Sequence, residues 1–116
     1  MEKTITIDGH KVNFKSTGAA ALRYKNQFGR DFFADTTKQI ALKKLSKVNA
    51  EDFNPDDLDG VDFEFFFNAA WVFAKTADKS IPEPMEWLDQ FDEFPIMELI
   101  PDLMELIQAN MITKKK

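Results

Sequence analysis

The sequence predicts an α+β domain, mainly α, with a short N-terminal β-hairpin packed on a Phe-rich bundle of about four to five helices. Three observations carry this. Thr4-Ile5-Thr6-Ile7 and Val12-Asn13-Phe14 alternate on either side of Asp8-Gly9, the strongest short-range hairpin signal. Downstream, apolar residues recur at helical spacing. Phe supplies 12 of the 15 aromatic residues, rings without a polar handle and so suited to packing. A chain of 116 residues can bury roughly two-thirds of its unfolded surface around one core. The expected organisation is a single domain over 1–113, with the hairpin at 3–15, the helical part at 17–112 and a basic tail at 114–116.

Ile5, Ile7, Val12 and Phe14 share the hairpin face turned to the helices, since a lone hairpin is marginal in water. Ser16 and Thr17 are N-cap candidates for a first helix from about Gly18 to Phe28, with Gly29 as its C′ stop. Asp31 caps a second helix, on which Phe33, Thr37, Ile40, Ala41, Leu45 and Val48 form the apolar stripe. Lys38, Lys43, Lys44 and Lys47 occupy much of the rest. EDFNPDDLDG (51–60) reads as loop from its Asn-Pro, its Gly and its acids.

Val61 to Ala77 is the central helix, apolar at 12 of 17 positions and so buried on most sides. Phe63, Phe66, Phe67, Ala70, Phe73, Ala74 and Ala77 form its core face, and Glu64, Asn68 and Lys75 its wet one. Those polar residues and the marginal length argue against a membrane span. Met85 to Phe91 makes a further helix, with Trp87, Leu88 and Phe91 on one face. Pro95 opens the last helical segment.

That segment writes MELI twice, at 97–100 and 104–107. Seven residues are two helical turns, so Met97 stacks on Met104, Leu99 on Leu106 and Ile100 on Ile107. Glu98, Asp102 and Glu105 fall opposite. Pro101 removes the donor to the carbonyl of Met97, which predicts a kink or a restart with Pro101 at N1. The stripe closes the chain's own core or meets another chain. Its flexible thioethers suit an adaptable groove, so the partner-binding candidates are Met97, Leu99, Ile100, Leu103, Met104, Leu106, Ile107 and Met111.

The net charge of −5 conceals an asymmetry: +6 over 1–50, −14 over 51–113 and +3 over the tail. It balances within one molecule, or between copies packed head to tail. The chain has no cysteine, which removes disulfides and thiolate metal sites. The N-terminus lacks the apolar run of a signal peptide, and a cytosolic origin fits. His10, the single histidine, sits in the hairpin turn with no nucleophile or metal ligand nearby in sequence. The dispersed glycines make no phosphate-cradling loop.

An EF-hand alignment on Gly60 places Pro55 and Phe66 where the first and last carboxylates belong. No catalytic residue, cofactor or metal is expected. The overall acidity and the absence of a stacking ladder argue against nucleic acid as a partner.

Three stretches, in order and spacing, resemble one family. KSTGAAALRYKNQFGRDFFADTTKQ (15–39) carries Arg-Tyr followed by Phe-Gly-Arg-Asp, FNAAWVFAKTAD (67–78) an aromatic–Ala-Lys-x-Ala-Asp helix, and PEPMEWLDQFDEF (82–94) a Trp-Leu-x-x-Phe helix. Together they resemble the tail assembly chaperones of siphophages, as encoded in prophages of low-GC Gram-positive bacteria.

The resemblance implies a small, largely helical, self-associating, non-enzymatic protein. It would keep the tail tape measure protein soluble and help recruit the tail tube protein. It would act in the host cytoplasm and be absent from the mature virion. Homo-oligomers, possible as an open head-to-tail assembly, belong to that picture. So does a longer frameshifted form. Lys114-Lys115-Lys116 is what an A-rich slippery site encodes, and equally what a solubilising tail encodes. Arg23, Tyr24, Phe28, Gly29, Arg30 and Asp31 match the family pattern. Phe28 and Gly29 read as structural, whereas Tyr24 and Arg30 are candidates to face a partner, with a helix-to-helix salt bridge the alternative for Arg30. Two other readings remain: a small regulatory or nucleic-acid-binding adaptor module using the basic first half, and a hydrolase with a pocket of perturbed carboxylates.

Overall fold

The computed structural model describes residues 1–40 and 61–111. Strands β1 (Glu2–Ile7) and β2 (His10–Lys15) form an antiparallel hairpin in which Ile7 faces His10 and Glu2 faces Lys15. The turn is the one expected of Asp-Gly. Asp8 and Gly9 both take left-handed φ, 50° and 79°, so the turn twist matches the strands. Ile7, Val12 and Phe14 are buried and Ile5 packs against the core, as the alternation requires.

Helix α1 (Ala20–Phe28) stops at Gly29, whose φ of 73° lets its N–H reach the Lys25 carbonyl at 2.8 Å. It begins two residues later than predicted, and Ser16 does not cap it. The buried Ser16 hydroxyl donates instead to the Leu106 carbonyl at 2.8 Å. Thr17 accepts locally from the Ala19 N–H.

Helix α2 (Phe32–Ile40) is capped by Asp31, which accepts from the Ala34 N–H at 3.0 Å. Its buried face is rotated from the predicted one. Phe32, Asp35, Thr36 and Gln39 point inward, while Phe33 and Thr37 are exposed. A buried carboxylate overrode the apolar count. Ala41, Leu45, Val48 and the 51–60 loop lie outside the described residues.

Helix α3 (Phe63–Ala77) is the centre of the core. Asp62 caps it, accepting from the Phe65 N–H at 3.2 Å, and the Asp62 N–H donates to Gln39 of α2. From Phe65 to Thr76 only Phe67, Asn68 and Lys75 are not fully buried. Against α3 pack β2, α1, helix α4 (Pro84–Leu88) and helix α5 (Ile96–Met111). Helix α4 starts with Pro84 at N1 and ends before Phe91, because the N–H groups of Gln90 and Phe91 tighten to i−3 carbonyls.

Helix α5 neither restarts nor breaks at Pro101. It is one helix with Pro101 in its interior. Interior proline costs about 3 kcal/mol. The helix holds because Leu99, Ile100, Leu103, Met104, Leu106 and Ile107 are buried on both sides of it, each worth roughly 1.5–3 kcal/mol. Lys3 of β1 reaches Asp102 and Glu105 at 3.1 Å each and fastens the outer side.

This packing predicts that Leu106→Ala, at a fully buried position, destabilises by about 2–5 kcal/mol. Glu105→Ala, losing an exposed ion pair, costs about 1 kcal/mol or less. Urea unfolding of the two variants checks this, and equal losses would place the stripe outside the core.

Candidate functional site

The residues put forward from sequence as a partner surface separate into two groups. Leu99, Ile100, Leu103, Met104, Leu106 and Ile107 are core, packed in one cluster with α3 and the hairpin. The expectation that they form an accessible docking stripe is corrected on that ground. A side chain already sealed between two elements offers nothing to a second chain. Met97 and Met111, at the two ends, are half-buried against the same cluster.

Tyr24 does not present itself to a partner either, and Arg30 is engaged in a salt bridge. Tyr24 is 1% exposed, with its ring against Phe28, Phe32 and Phe65. Its hydroxyl donates to Asp35 Oδ2 at 2.8 Å. Arg30, half-exposed, grips the same carboxylate through Nε at 2.7 Å and Nη2 at 2.8 Å. Asp35 therefore accepts three charge-assisted bonds in the interior between α1 and α2. The Arg30 contacts hold its carboxyl below the usual carboxylate range, against the opposing effect of burial, with Tyr24 adding to them. Burial, followed by the Asp35 hydrogen bond, pushes the Tyr24 hydroxyl up. Sequence reasoning missed Asp35. The usable signal was an acid in the first turn of α2, five residues after Arg30 and eleven after Tyr24.

The α3–α4 connection is strapped down in a comparable way. Trp71 Nε1 donates to the Pro82 carbonyl at 2.8 Å, and Lys75 Nζ donates to the carbonyls of Lys79 and Ile81. Asp78 accepts from the Ser80 hydroxyl and N–H, which lowers its pKa.

Two concavities open beside this strapped loop. One, of about 350 Å³, lies between α1, α3 and the start of α4, with Leu22, Arg23, Trp71, Lys75 and Glu83 in its wall. Arg23 is fixed there by Nε donating to Thr76 at 3.2 Å. Leu22 at its lip is 68% exposed, and Met85, two residues beyond Glu83, is 71% exposed. These are the two most exposed large apolar side chains among the described residues. Neither was singled out from sequence, because an isolated Leu or Met carries no periodic signal. The other concavity, of about 360 Å³, runs between β2 and the strapped loop. His10, at its end, is exposed and meets the ring of Phe91 edge-on at 5.8 Å.

Among the described residues no group of three or more His, Asp or Glu side chains is arranged to hold a metal, and no helix is long and apolar enough to cross a membrane. Comparison with protein-family models, with curated proteins and with solved structures finds no match.

The Asp35 network has a signed pH dependence. A carboxyl held below its unfolded value of about 3.9 stabilises the fold above that pH, and the contribution disappears as pH falls through the folded pKa. Asp35→Asn is therefore expected to be less stable than the parent at pH 7, with the gap closing below about pH 4. Tyr24→Phe, which removes one bond to a charged acceptor, costs about 1–3 kcal/mol at pH 7. Thermal unfolding across pH 2 to 7 checks both, and a gap for Asp35→Asn that persists unchanged at low pH contradicts the assignment.

Proposed function

We propose that the protein is a tail assembly chaperone of the siphophage type, non-enzymatic, acting on a tape measure protein. The observation that carries the reading is the resemblance of residues 15–39, 67–78 and 82–94. It is supported by the way those stretches meet in space. The Arg-Tyr…Phe-Gly-Arg-Asp stretch closes on itself through Tyr24, Arg30 and Asp35. Phe28 of that stretch meets Trp71 of the second edge-on at 5.8 Å, and Trp71 is bonded to Pro82 of the third.

In this reading the contact surface is not the buried MELI stripe. It is the α1–α3–α4 concavity with Leu22 in its wall, together with the exposed Met85 two residues beyond Glu83. A tape measure protein is long, apolar and helix-forming, and an amphipathic helix docks by setting apolar side chains against apolar surface, here Leu22 and Trp71 within an otherwise polar wall. Exposed acids on and around α4 (Glu83, Glu86, Asp89, Asp92, Glu93) keep the loaded assembly soluble. Arg23 and Lys25 on α1 are their counterparts for reversible head-to-tail contact between copies. Recruitment of the tail tube protein belongs to the same proposal, as do action in the host cytoplasm and absence from the virion.

Co-expression with the long helix-forming protein encoded just downstream tests the proposal. That protein should become soluble only when this chain is present, and the two should elute together as one large assembly. Leu22→Asp combined with Met85→Asp should abolish the rescue while leaving the fold intact, because both sites are exposed. Self-association of the free chain should weaken as salt rises. A long protein that stays insoluble beside a monomeric chain sinks the reading.

A further inference from the structure

We propose that the outer edge of β2 accepts an extended segment of a partner protein, alternating acidic and apolar residues, as a third strand. The sheet has two strands in the order β1-β2, and among the described residues nothing pairs with the other side of β2. The register identifies which backbone groups point that way. Ile7 and His10 close a two-residue turn and form a hydrogen-bonded pair, so Ile5 with Val12 and Lys3 with Phe14 are bonded pairs too. Lys11 and Asn13, opposite Thr6 and Thr4, therefore direct N–H and C=O away from β1.

The concavity of about 360 Å³ lies on that side. Four successive β2 residues, His10 to Asn13, wall it, and none from β1 does. Successive strand residues face opposite ways. A cavity touching both parities without touching the neighbouring strand lies along the edge and not over a face. Its far wall is Asp78, Ser80, Ile81 and Pro82 of the strapped loop, with Trp87, Gln90 and Phe91 beside them. Asp78 is turned to its own loop, accepting from the Ser80 hydroxyl and N–H, and Ile81, Trp87 and Phe91 supply the apolar part. An open strand edge beside apolar surface is the arrangement that β-strand addition uses, with main-chain bonds for affinity and side-chain pockets for specificity.

Charge selects the occupant. Lys11, Asn13 and Lys15 lie on the solvent face of β2, and the one acid paired with Lys15 is Glu2 at 3.9 Å, itself exposed. Antiparallel pairing with β2 of a second copy, centred on Asn13, sets each Lys11 against a Lys15, which is destabilising. Lysines on an edge strand guard against that self-pairing. An incoming strand with acidic side chains on this face and apolar ones toward Trp87 and Ile81 satisfies both sides. The site is separate from the Leu22 concavity, so it stands or falls independently of the chaperone reading.

The test uses the full chain and a fluorescently labelled hexapeptide alternating glutamate and valine, read by anisotropy at low salt. Saturable binding is expected. A peptide N-methylated at alternate amides, and one alternating lysine and valine, should each bind at least about tenfold more weakly. Lys11→Glu should lose the preference for glutamate. Asn13→Pro removes an outward N–H while sparing the β1–β2 main-chain bonds, at the loss of the Thr4 hydroxyl's bond to Asn13 Oδ1, and should abolish binding in a chain that circular dichroism finds folded. If that variant unfolds, Lys11→Glu and the N-methylated peptide carry the test. Equal affinity for the N-methylated peptide overturns strand addition, and so does no binding at millimolar peptide. A concentration-dependent dimer that Lys11→Glu strengthens, with no peptide binding, overturns the choice of occupant in favour of a second copy.

Discussion

The rest of the structure depends on one constraint: α3 is apolar on almost every side and cannot be left in water on any of them. Phe65, Ala69, Val72 and Thr76 run along one row, Phe66, Ala70 and Phe73 along another, and Trp71 and Ala74 fill between, all of them buried. A helix with a single apolar stripe needs one neighbour, whereas this one needs a surround. The hairpin covers it with Val12 and Phe14, α5 with the MELI stripe, and α1 and α4 with Tyr24, Phe28 and Trp87. Each covering element is short or marginal alone, the hairpin having two strands and α4 five residues. Such elements gain their stability from the surface they close over.

The covering layer is secured by polar bonds at its seams, and most of them join segments far apart in sequence. The Ser16 hydroxyl and the Lys3 ammonium tie the hairpin to α5. Asp8 accepts from the Asp92 N–H, and Gln39 accepts from the N–H of Asp62, the cap of α3. Asp35 is the most demanding of them. A carboxylate taken from water must recover its lost solvation in full, and it does so with two Arg30 nitrogens and the Tyr24 hydroxyl. That requirement rotates α2, drawing Phe32 inward and leaving Phe33 out.

Local chemistry was legible in the sequence, and long-range pairing was not. Asp8-Gly9, Gly29 and Asp31 act within a few residues of themselves, and turn, stop and cap were all readable from their types. The face of α2 was misread because Asp35 is counted as polar and assigned to water; only its partners, one on α1 and one in the turn before α2, reverse that. The restart expected at Pro101 was misread for a related reason. The proline's cost is local and visible in the sequence, while the burial of six neighbours that outweighs it is tertiary. Of the candidate site, the MELI residues were found as a coherent stripe but not assigned a side. Leu22 and Met85 escaped because exposure of a single apolar residue is a property of the fold alone.

The doubled MELI shows why the stripe's side was undetermined. A stripe that meets a core and one that meets a partner share the same periodicity and the same acids opposite. What separates them is whether something in the chain holds the acidic side down. Here Lys3, on a strand a full domain away in sequence, takes Asp102 and Glu105 together. The Glu105 and Asp102 hydrogen bonds raise its pKa. With α5 fastened on both sides, the two concavities described lie elsewhere, one between α1, α3 and the start of α4 and one between β2 and the strapped loop.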